Sequence, residues 1–251
     1  NEATAIKKNP KELKKRLAHP RQAWSAEVIT LLPKAFPGIL GYSITGRALQ
    51  ESKWHLNIID LREFGHGKHK SVDDKPSGGG AGMVLRPDIV GKAIDHVLQR
   101  QERQKPMICL SARGCPFDQR MAQSWAEGPG IILLAGRFEG IDQRIIDYYG
   151  MQEVSLGDFV MSGGEIAAQA MIDASVRLLP GVLGNFISVE EESYSSNLLE
   201  HPQYTRPIEW KGYRIPEILQ SGNHHRISKW RQSKAEAITR QRRPDLWAKR
   251  K

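Results

Sequence analysis

The stretch VSLGDFVMSGGEIAAQAMIDA, residues 154–174, decides the fold class of this 251-residue chain. An apolar run leads through two closely spaced glycine turns, at 156–158 and 162–165, into helical spacing that continues to residue 179. Glycine has no Cβ, so each turn brings bare backbone close to a ligand or to another segment of the chain. A strand, a glycine turn and a helix in this order predict one unit of an α/β fold.

Similar units precede this stretch. Helical spacing is expected after Pro37 and again up to Leu98, in a helix that the side chain of Asp88 can cap. Residues 27–32 and 57–61 are predicted to be strands, and residues 107–110 and 131–135 are unbroken apolar runs typical of buried strands. Strands that are apolar at every position are typical of parallel sheets covered on both faces, which predicts an α/β domain with a parallel sheet over residues 24–183.

The remaining chain has a different character. Residues 184–216 are polar and interrupted by Pro202, Pro207 and Pro216, which is typical of an interdomain linker. Residues 217–251 have helical spacing and form a predicted small helical domain, and residues 1–23 form a basic N-terminal extension.

The net charge of +9 is concentrated at the two ends of the chain. Residues 1–23 carry +5 and residues 224–251 carry +8, whereas the 200 residues between them carry −4. We interpret the first segment as a solvated tail. The second mixes basic side chains with Trp230, Ile238, Leu246 and Trp247, so we expect it to fold and to bind nucleic acid.

Composition narrows the class of protein. With 39% hydrophobic and 26% charged residues the chain is typical of soluble globular proteins, and no apolar run approaches the roughly 20 residues that a membrane helix needs. Two cysteines do not make a secreted disulfide framework, and Cys109 lies in an apolar run where a buried free thiol is expected. We therefore expect a cytoplasmic protein without a membrane partner.

Three predicted strands end in small or turn-forming residues, at 110–114, 135–140 and 156–158. Any one of these ends could be a simple tight turn. Because ligands of open parallel sheets bind at the carboxyl ends of the strands, the three together favour a nucleotide-like ligand. Neither a Walker loop nor a dinucleotide fingerprint is present, and residues 78–82 are either a phosphate cradle or a hinge. His66 and His69 lack the partner ligands of a zinc site, so no metal site is predicted.

A series of motifs identifies a family resemblance. In order they are YSITGRA (42–48), VDDKPSGGGAGM (72–83), GRFEGID (136–142), SLGDFVMSGGE (155–165), RLLPGVLG (177–184), PQYTRP (202–207), LQSGNH (219–224) and RRPDL (242–246). The chain resembles the bacterial tRNA (guanine-N1)-methyltransferases of the TrmD type, within the SPOUT class, over residues 24–246. Ala81 and Ala112 depart from the family pattern, because each replaces a usual proline.

The resemblance implies a deep trefoil knot in the α/β domain and a homodimer whose active sites lie at the subunit interface. It also implies S-adenosylmethionine as the cofactor, bound inside the knot. The cofactor contacts that it implies are Leu110, Ser111, Gly136, Phe138, Glu139, Gly140, Leu156, Gly157, Phe159, Met161, Gly163 and Gly164.

The implied reaction methylates N1 of guanosine 37 of tRNA, next to the anticodon. The family's catalytic base is an Asp that aligns with Glu192, although Glu190 or Glu191 could take this role, and Arg177 aligns with the essential arginine. Contacts with the tRNA are expected from Asp73, Gly82, Glu200, Asn223 and His224.

Two other functions remain open on the sequence. One is a SPOUT methyltransferase that acts on another RNA. The other is a noncatalytic RNA-binding protein, because Glu stands where the family has Asp at the aligned linker positions.

Overall fold

The computed structural model describes residues 23–183, 193–194 and 197–250. The basic segment 1–22 and the three candidate bases Glu190, Glu191 and Glu192 lie outside the described residues. The chain divides into two compact units, residues 1–183 and 184–251.

The first unit contains a five-stranded sheet. Its strands are β1 (Trp24–Thr30), β2 (Trp54–Asp60), β3 (Met107–Pro116), β4 (Gly130–Ala135) and β5 (Gln152–Ser155). They lie in the order β2-β1-β4-β3-β5, and every neighbouring pair is parallel. The predicted α/β fold with a parallel sheet is confirmed.

In the described part of the first unit, five α-helices connect and cover the strands. They are α1 (Ser43–Gln50), α2 (Pro87–Leu98), α3 (Gln119–Glu127), α4 (Gln143–Tyr149) and α5 (Glu165–Val176). The alternation of side chains along β4 explains why both faces need a cover. Ile131 and Leu133 join the cluster that α5 closes, whereas Ile132 and Leu134 join the cluster that α2 and α4 close. All four side chains are fully buried, so the strand has no polar face.

One predicted helix start was wrong. Arg86, not Asp88, is the N-cap of α2, because Pro87 occupies the first helical position and Asp88 falls within the first turn. The Asp88 carboxylate instead binds the Arg86 guanidinium at 3.1 Å and the His66 ring at 2.6 Å. These contacts, the one with Arg86 first, hold the pKa of Asp88 well below its usual range. Asp88 thereby ties the loop at residue 66 to the start of α2.

The second unit contains the helices α6 (His224–Arg242) and α7 (Pro244–Ala248) and a small hairpin of two strands, Glu209–Trp210 and Tyr213–Arg214. Asn223 caps α6, since its side-chain oxygen accepts a hydrogen bond from the backbone of Arg226 at 3.0 Å. Part of the predicted linker packs along α6: the backbone N–H of Leu199 donates to Thr239 Oγ1 at 2.9 Å. Among the described residues, no helix combines the length and the apolar character needed to cross a membrane.

Candidate active site

A pocket of about 410 Å³ opens at the carboxyl ends of β4 and β5, beside the middle of β3, where the pairing of β3 with β5 shifts between Leu110 and Cys115. All twelve residues that the resemblance assigns to the cofactor line it: Leu110, Ser111, Gly136, Phe138, Glu139, Gly140, Leu156, Gly157, Phe159, Met161, Gly163 and Gly164. They come from the middle of β3 and from the segments that follow β4 and β5, which are neighbouring strands of the sheet. The predicted end of a strand at residue 110 is wrong, because β3 continues to Pro116. The pocket lining therefore combines five glycines with larger side chains such as Phe138, Glu139 and Phe159.

The segment 156–164 closes one side of this pocket. It leaves β5 at the edge of the sheet and returns to the end of β4, where the backbone N–H of Gly164 donates to the carbonyl of Gly136 at 2.9 Å. A Cβ at residue 164 would lie 2.9 Å from the Cα of Ala135, so a side chain does not fit between the two segments. The second glycine turn of the opening stretch is therefore needed because the chain at Gly164 passes close to the backbone at Ala135 and Gly136.

A buried carboxylate anchors the same turn. Glu165, only 4% exposed, accepts a hydrogen bond from Thr30 Oγ1 at 2.9 Å and lies 3.3 Å from Arg137 Nε. A Cβ at Gly163 would lie 2.5 Å from the Glu165 carboxylate and 2.9 Å from the Arg137 guanidinium. Thr30, Arg137 and Glu165 were not predicted from the sequence, although an acidic residue at the first position of a mostly apolar helix was a usable signal.

The opposite wall, residues 138–141, contacts the glycine-rich loop. The backbone N–H of Glu139 donates to the carbonyl of Met83 at 2.9 Å, and a Cβ at Gly82 would collide with the Glu139 side chain. Asp73 pairs with Leu85, whose backbone N–H donates to the carbonyl of Gly140 at 3.0 Å. Two of the predicted tRNA contacts, Asp73 and Gly82, thus lie beside this wall of the pocket.

The floor and the rim of the pocket differ in polarity. Cys109 on the floor is buried, and this burial raises the pKa of its thiol to about 12. At the rim Arg113 Nε lies 2.8 Å from Glu153 Oε1, and the same guanidinium donates to Gln143 at 2.6 Å. These contacts join β3, β5 and α4 around the opening.

The predicted catalytic arginine lies elsewhere in the first unit. Arg177 is the C-cap of α5 and does not belong to the pocket lining. Ala167 of α5 lines the pocket and Arg177 follows it ten residues later, so Arg177 stands roughly 15 Å along the helix from the pocket. Its predicted partner Glu192 lies outside the described residues.

The other predicted tRNA contacts are in the second unit. Asn223 caps α6 and His224 is its first, exposed residue. Glu200 accepts a hydrogen bond from the Gln203 side chain, and its backbone N–H donates to Ser193 Oγ at 2.9 Å.

Comparison with known proteins identifies the family. The sequence model described as tRNA (Guanine-1)-methyltransferase TrmD matches residues 25–249. The chain belongs to this family. A tRNA (guanine-N(1)-)-methyltransferase of Ruegeria pomeroyi is 63% identical over 89% of the chain and 92% of its own length. Proteins of the same name from Jannaschia sp. and Brucella ovis are 56% and 53% identical, over 92% and 88% of the chain and 96% and 90% of their own lengths. The TrmD family match therefore includes both units.

Proposed function

We propose that the protein transfers a methyl group from S-adenosylmethionine to N1 of guanosine 37 in tRNA, next to the anticodon. The observation that carries this proposal is the pocket at the strand ends, in which all twelve implied cofactor residues meet. Family membership supports the same reaction. A tRNA substrate also implies a cytoplasmic site of action.

The pocket suits this cofactor in size and in chemistry. Its volume of about 410 Å³ is within the usual range for small-molecule sites. Leu156 and Gly157 would present backbone groups to the adenine, with the Phe159 ring packed against Gly157. The return of segment 156–164 to the end of β4 supports a trefoil knot at this point.

When bound, S-adenosylmethionine supplies a methyl group on a positively charged sulfur. Guanine N1 carries a proton at neutral pH and is a poor nucleophile, so a base must remove this proton as the methyl group is attacked. We assign that role to Glu192. Negative charge then develops on guanine O6, and the guanidinium of Arg177 would stabilise it.

We further propose a homodimer with active sites at the subunit interface. Arg177 stands roughly 15 Å along α5 from the pocket of its own chain, which is more than an arginine side chain spans, and this distance supports an arginine supplied by a partner subunit. Ile39, Tyr42 and Ile166 support an apolar interface, because all three are exposed and the turn at residues 38–41 packs on α5.

The two units would divide the work between them. In this proposal residues 24–183 form the methyltransferase domain and residues 184–216 form a linker that carries the base. Residues 217–251 then form the helical domain that grips the tRNA. Residues 197–250 include twelve Lys and Arg but only five Asp and Glu, and this excess of positive charge suits binding of a polyanion.

The reaction is tested with labelled S-adenosylmethionine and two tRNA transcripts that differ only in G or A at position 37. We expect label in 1-methylguanosine with the first transcript alone. Label in ribosomal RNA but not in tRNA would mean that the substrate is ribosomal RNA and not tRNA. Tight tRNA binding without cofactor binding in calorimetry would make the protein a noncatalytic binder.

The shared site is tested with mixed dimers. Arg177→Ala removes the arginine, and Gly163→Val blocks the pocket, so each homodimer is expected to be inactive. In a mixed dimer one pocket is intact and faces an intact arginine from the other chain, so activity should return. A mixed dimer as inactive as its two parents would show that each chain uses its own Arg177.

A further inference from the structure

The small hairpin of the second unit has a fixed backbone. Its strands pair Glu209 with Arg214 and Trp210 with Tyr213. Both turn residues, Lys211 and Gly212, have positive φ angles of 51° and 82°, as in the two-residue turns whose twist matches that of the strands. The N–H of Ile215 donates to the carbonyl of Ile208 at 2.9 Å and extends the ladder.

This backbone puts two aromatic rings side by side on one face. Residues directly opposite each other in an antiparallel pair project to the same side, so Trp210 and Tyr213 share one face of the hairpin. Glu209 and Arg214 share the other face, where their charged groups lie 3.4 Å apart. The Trp210 side chain is 61% exposed and that of Tyr213 is 79% exposed.

Trp210 differs from the other tryptophans of the chain, all six of which are described. Trp24, Trp54 and Trp125 are buried in the first unit. The two remaining tryptophans are contacted by side chains of their own unit: Trp230 by His201 and Tyr204, and Trp247 by Arg240 and Arg250. Trp210 is the only one of the six that is mostly exposed, although Lys211 lies near its ring, and with the adjacent Tyr213 it forms an exposed aromatic pair that favours a partner outside the chain.

The charges around the two rings indicate the chemistry of that partner. Lys211 Nζ lies 5.0 Å from the centroid of the Trp210 ring, and Arg214 follows Tyr213 directly. The described residues from 197 to 250 carry a net charge of +7. Exposed aromatic rings among cations suit RNA, because the rings stack on bases while the cations contact phosphates.

We propose that Trp210 and Tyr213 form a stacking platform for an unpaired base of the tRNA substrate. Only an unpaired base offers a free face to an aromatic ring, because bases within a helix are already stacked. The anticodon loop supplies such bases beside the target guanosine. The proposal rests on the proposed function and adds to it a contact that selects loop nucleotides rather than the helical stem.

The experiment measures tRNA affinity for Trp210→Ala, Tyr213→Ala and the conservative Trp210→Phe. Loss of one stacked base is expected to weaken binding by about 5- to 100-fold in the alanine variants, whereas phenylalanine should restore affinity to within about 3-fold. Because stacking releases no counterions, the salt dependence should not change in Trp210→Ala. The matched Lys211→Ala variant should instead reduce the slope of log affinity against log salt concentration by about the amount expected for one phosphate contact. Unfolding midpoints of all variants are measured alongside.

A second RNA separates this contact from general binding. An anticodon stem-loop with abasic loop nucleotides should bind the wild-type protein and Trp210→Ala equally. Unchanged tRNA affinity in both alanine variants would overturn the platform, as would a change of oligomeric mass that accounts for their weaker binding. Wild-type methyl transfer is assayed in parallel: its absence would refute the proposed function, while base-dependent binding through Trp210 would stand.

Discussion

The two units use opposite means to form a binding surface. The pocket of the first unit is lined by three segments that include five glycines, and the buried carboxylate of Glu165, held by Thr30 and Arg137, anchors one of these segments. The second unit exposes long cationic side chains along α6, among them Arg226, Lys229 and Arg231. A pocket formed by backbone selects by shape and tolerates almost no change, whereas a charged surface spreads its affinity over many replaceable contacts.

The largest effect is expected where a side chain enters the backbone pocket. Gly163→Val places methyl groups against Glu165 and Arg137, and should weaken S-adenosylmethionine binding by more than about 100-fold through overpacking and disruption of the buried pair. The affinity for tRNA should change by less than about 3-fold.

Calorimetry with each ligand checks this difference. Gly128→Ala is the matched control, because its Cβ would make only an ordinary contact at 3.4 Å. Loss of tRNA binding with retained cofactor binding would mean that the turn at residue 163 is structural and that the cofactor is placed wrongly.

The buried network should produce a smaller effect, on stability. Glu165→Gln leaves the hydrogen bond from Thr30 in place but removes the charge that faces Arg137. Because Arg137 is partly solvated, the free energy of unfolding should fall by only about 1–2 kcal/mol. Denaturant unfolding measures this change, with the exposed Glu102→Gln as control. Equal midpoints for the two variants would contradict a structural role of the ion pair.

A single cation of the second unit should matter still less. Arg231→Gln removes one exposed charge of α6, so tRNA affinity at moderate salt should fall by about 3-fold and the salt slope by about 0.9. Affinities at several salt concentrations give both numbers. Arg103→Gln, at an exposed arginine of the first unit, provides the control. An equal loss of tRNA affinity in this variant would mean that cations of the second unit contribute no more to tRNA binding than those of the first.

The last prediction needs no mutation and concerns how accessible the thiol of Cys109 is to a reagent. Burial raises the pKa of the Cys109 thiol to about 12, so at pH 8 it stays protonated as well as shielded from reagents. Iodoacetamide should therefore modify the exposed Cys115 and spare Cys109 until urea unfolds the chain. Peptide mass spectrometry measures the modification of both cysteines. Equal modification rates for Cys109 and Cys115 in the folded protein would mean that Cys109 is accessible to solvent.

Local patterns were enough to predict the sheet. The apolar runs in β1, β3 and β4 are long enough to identify buried strands, and the family assignment from ordered motifs is confirmed by the comparisons. That the twelve pocket residues hold the cofactor stays a prediction, as do the knot, the dimer and the role of Glu192.

Features that depend on distant residues were out of reach. Nothing near Glu165 in the sequence points to Thr30, because the two meet only after the sheet has formed. A local prediction failed as well: Asp88 was expected to be the cap, but Pro87 takes the first helical position, so the cap lies two residues earlier, at Arg86. The α5 helix ends at Val176, three residues before the predicted end at 179, since helical spacing does not reveal where hydrogen bonding stops.

The hydrogen bond between Thr30 and Glu165 spans 135 residues of chain. Closing so long a loop is entropically costly, and contacts of this separation are slow to form. We therefore expect the pocket to be among the last parts of the first unit to mature during refolding. The ability to bind a small ligand would then lag behind the recovery of secondary structure, and a newly made chain would acquire its chemistry only after it had acquired its shape.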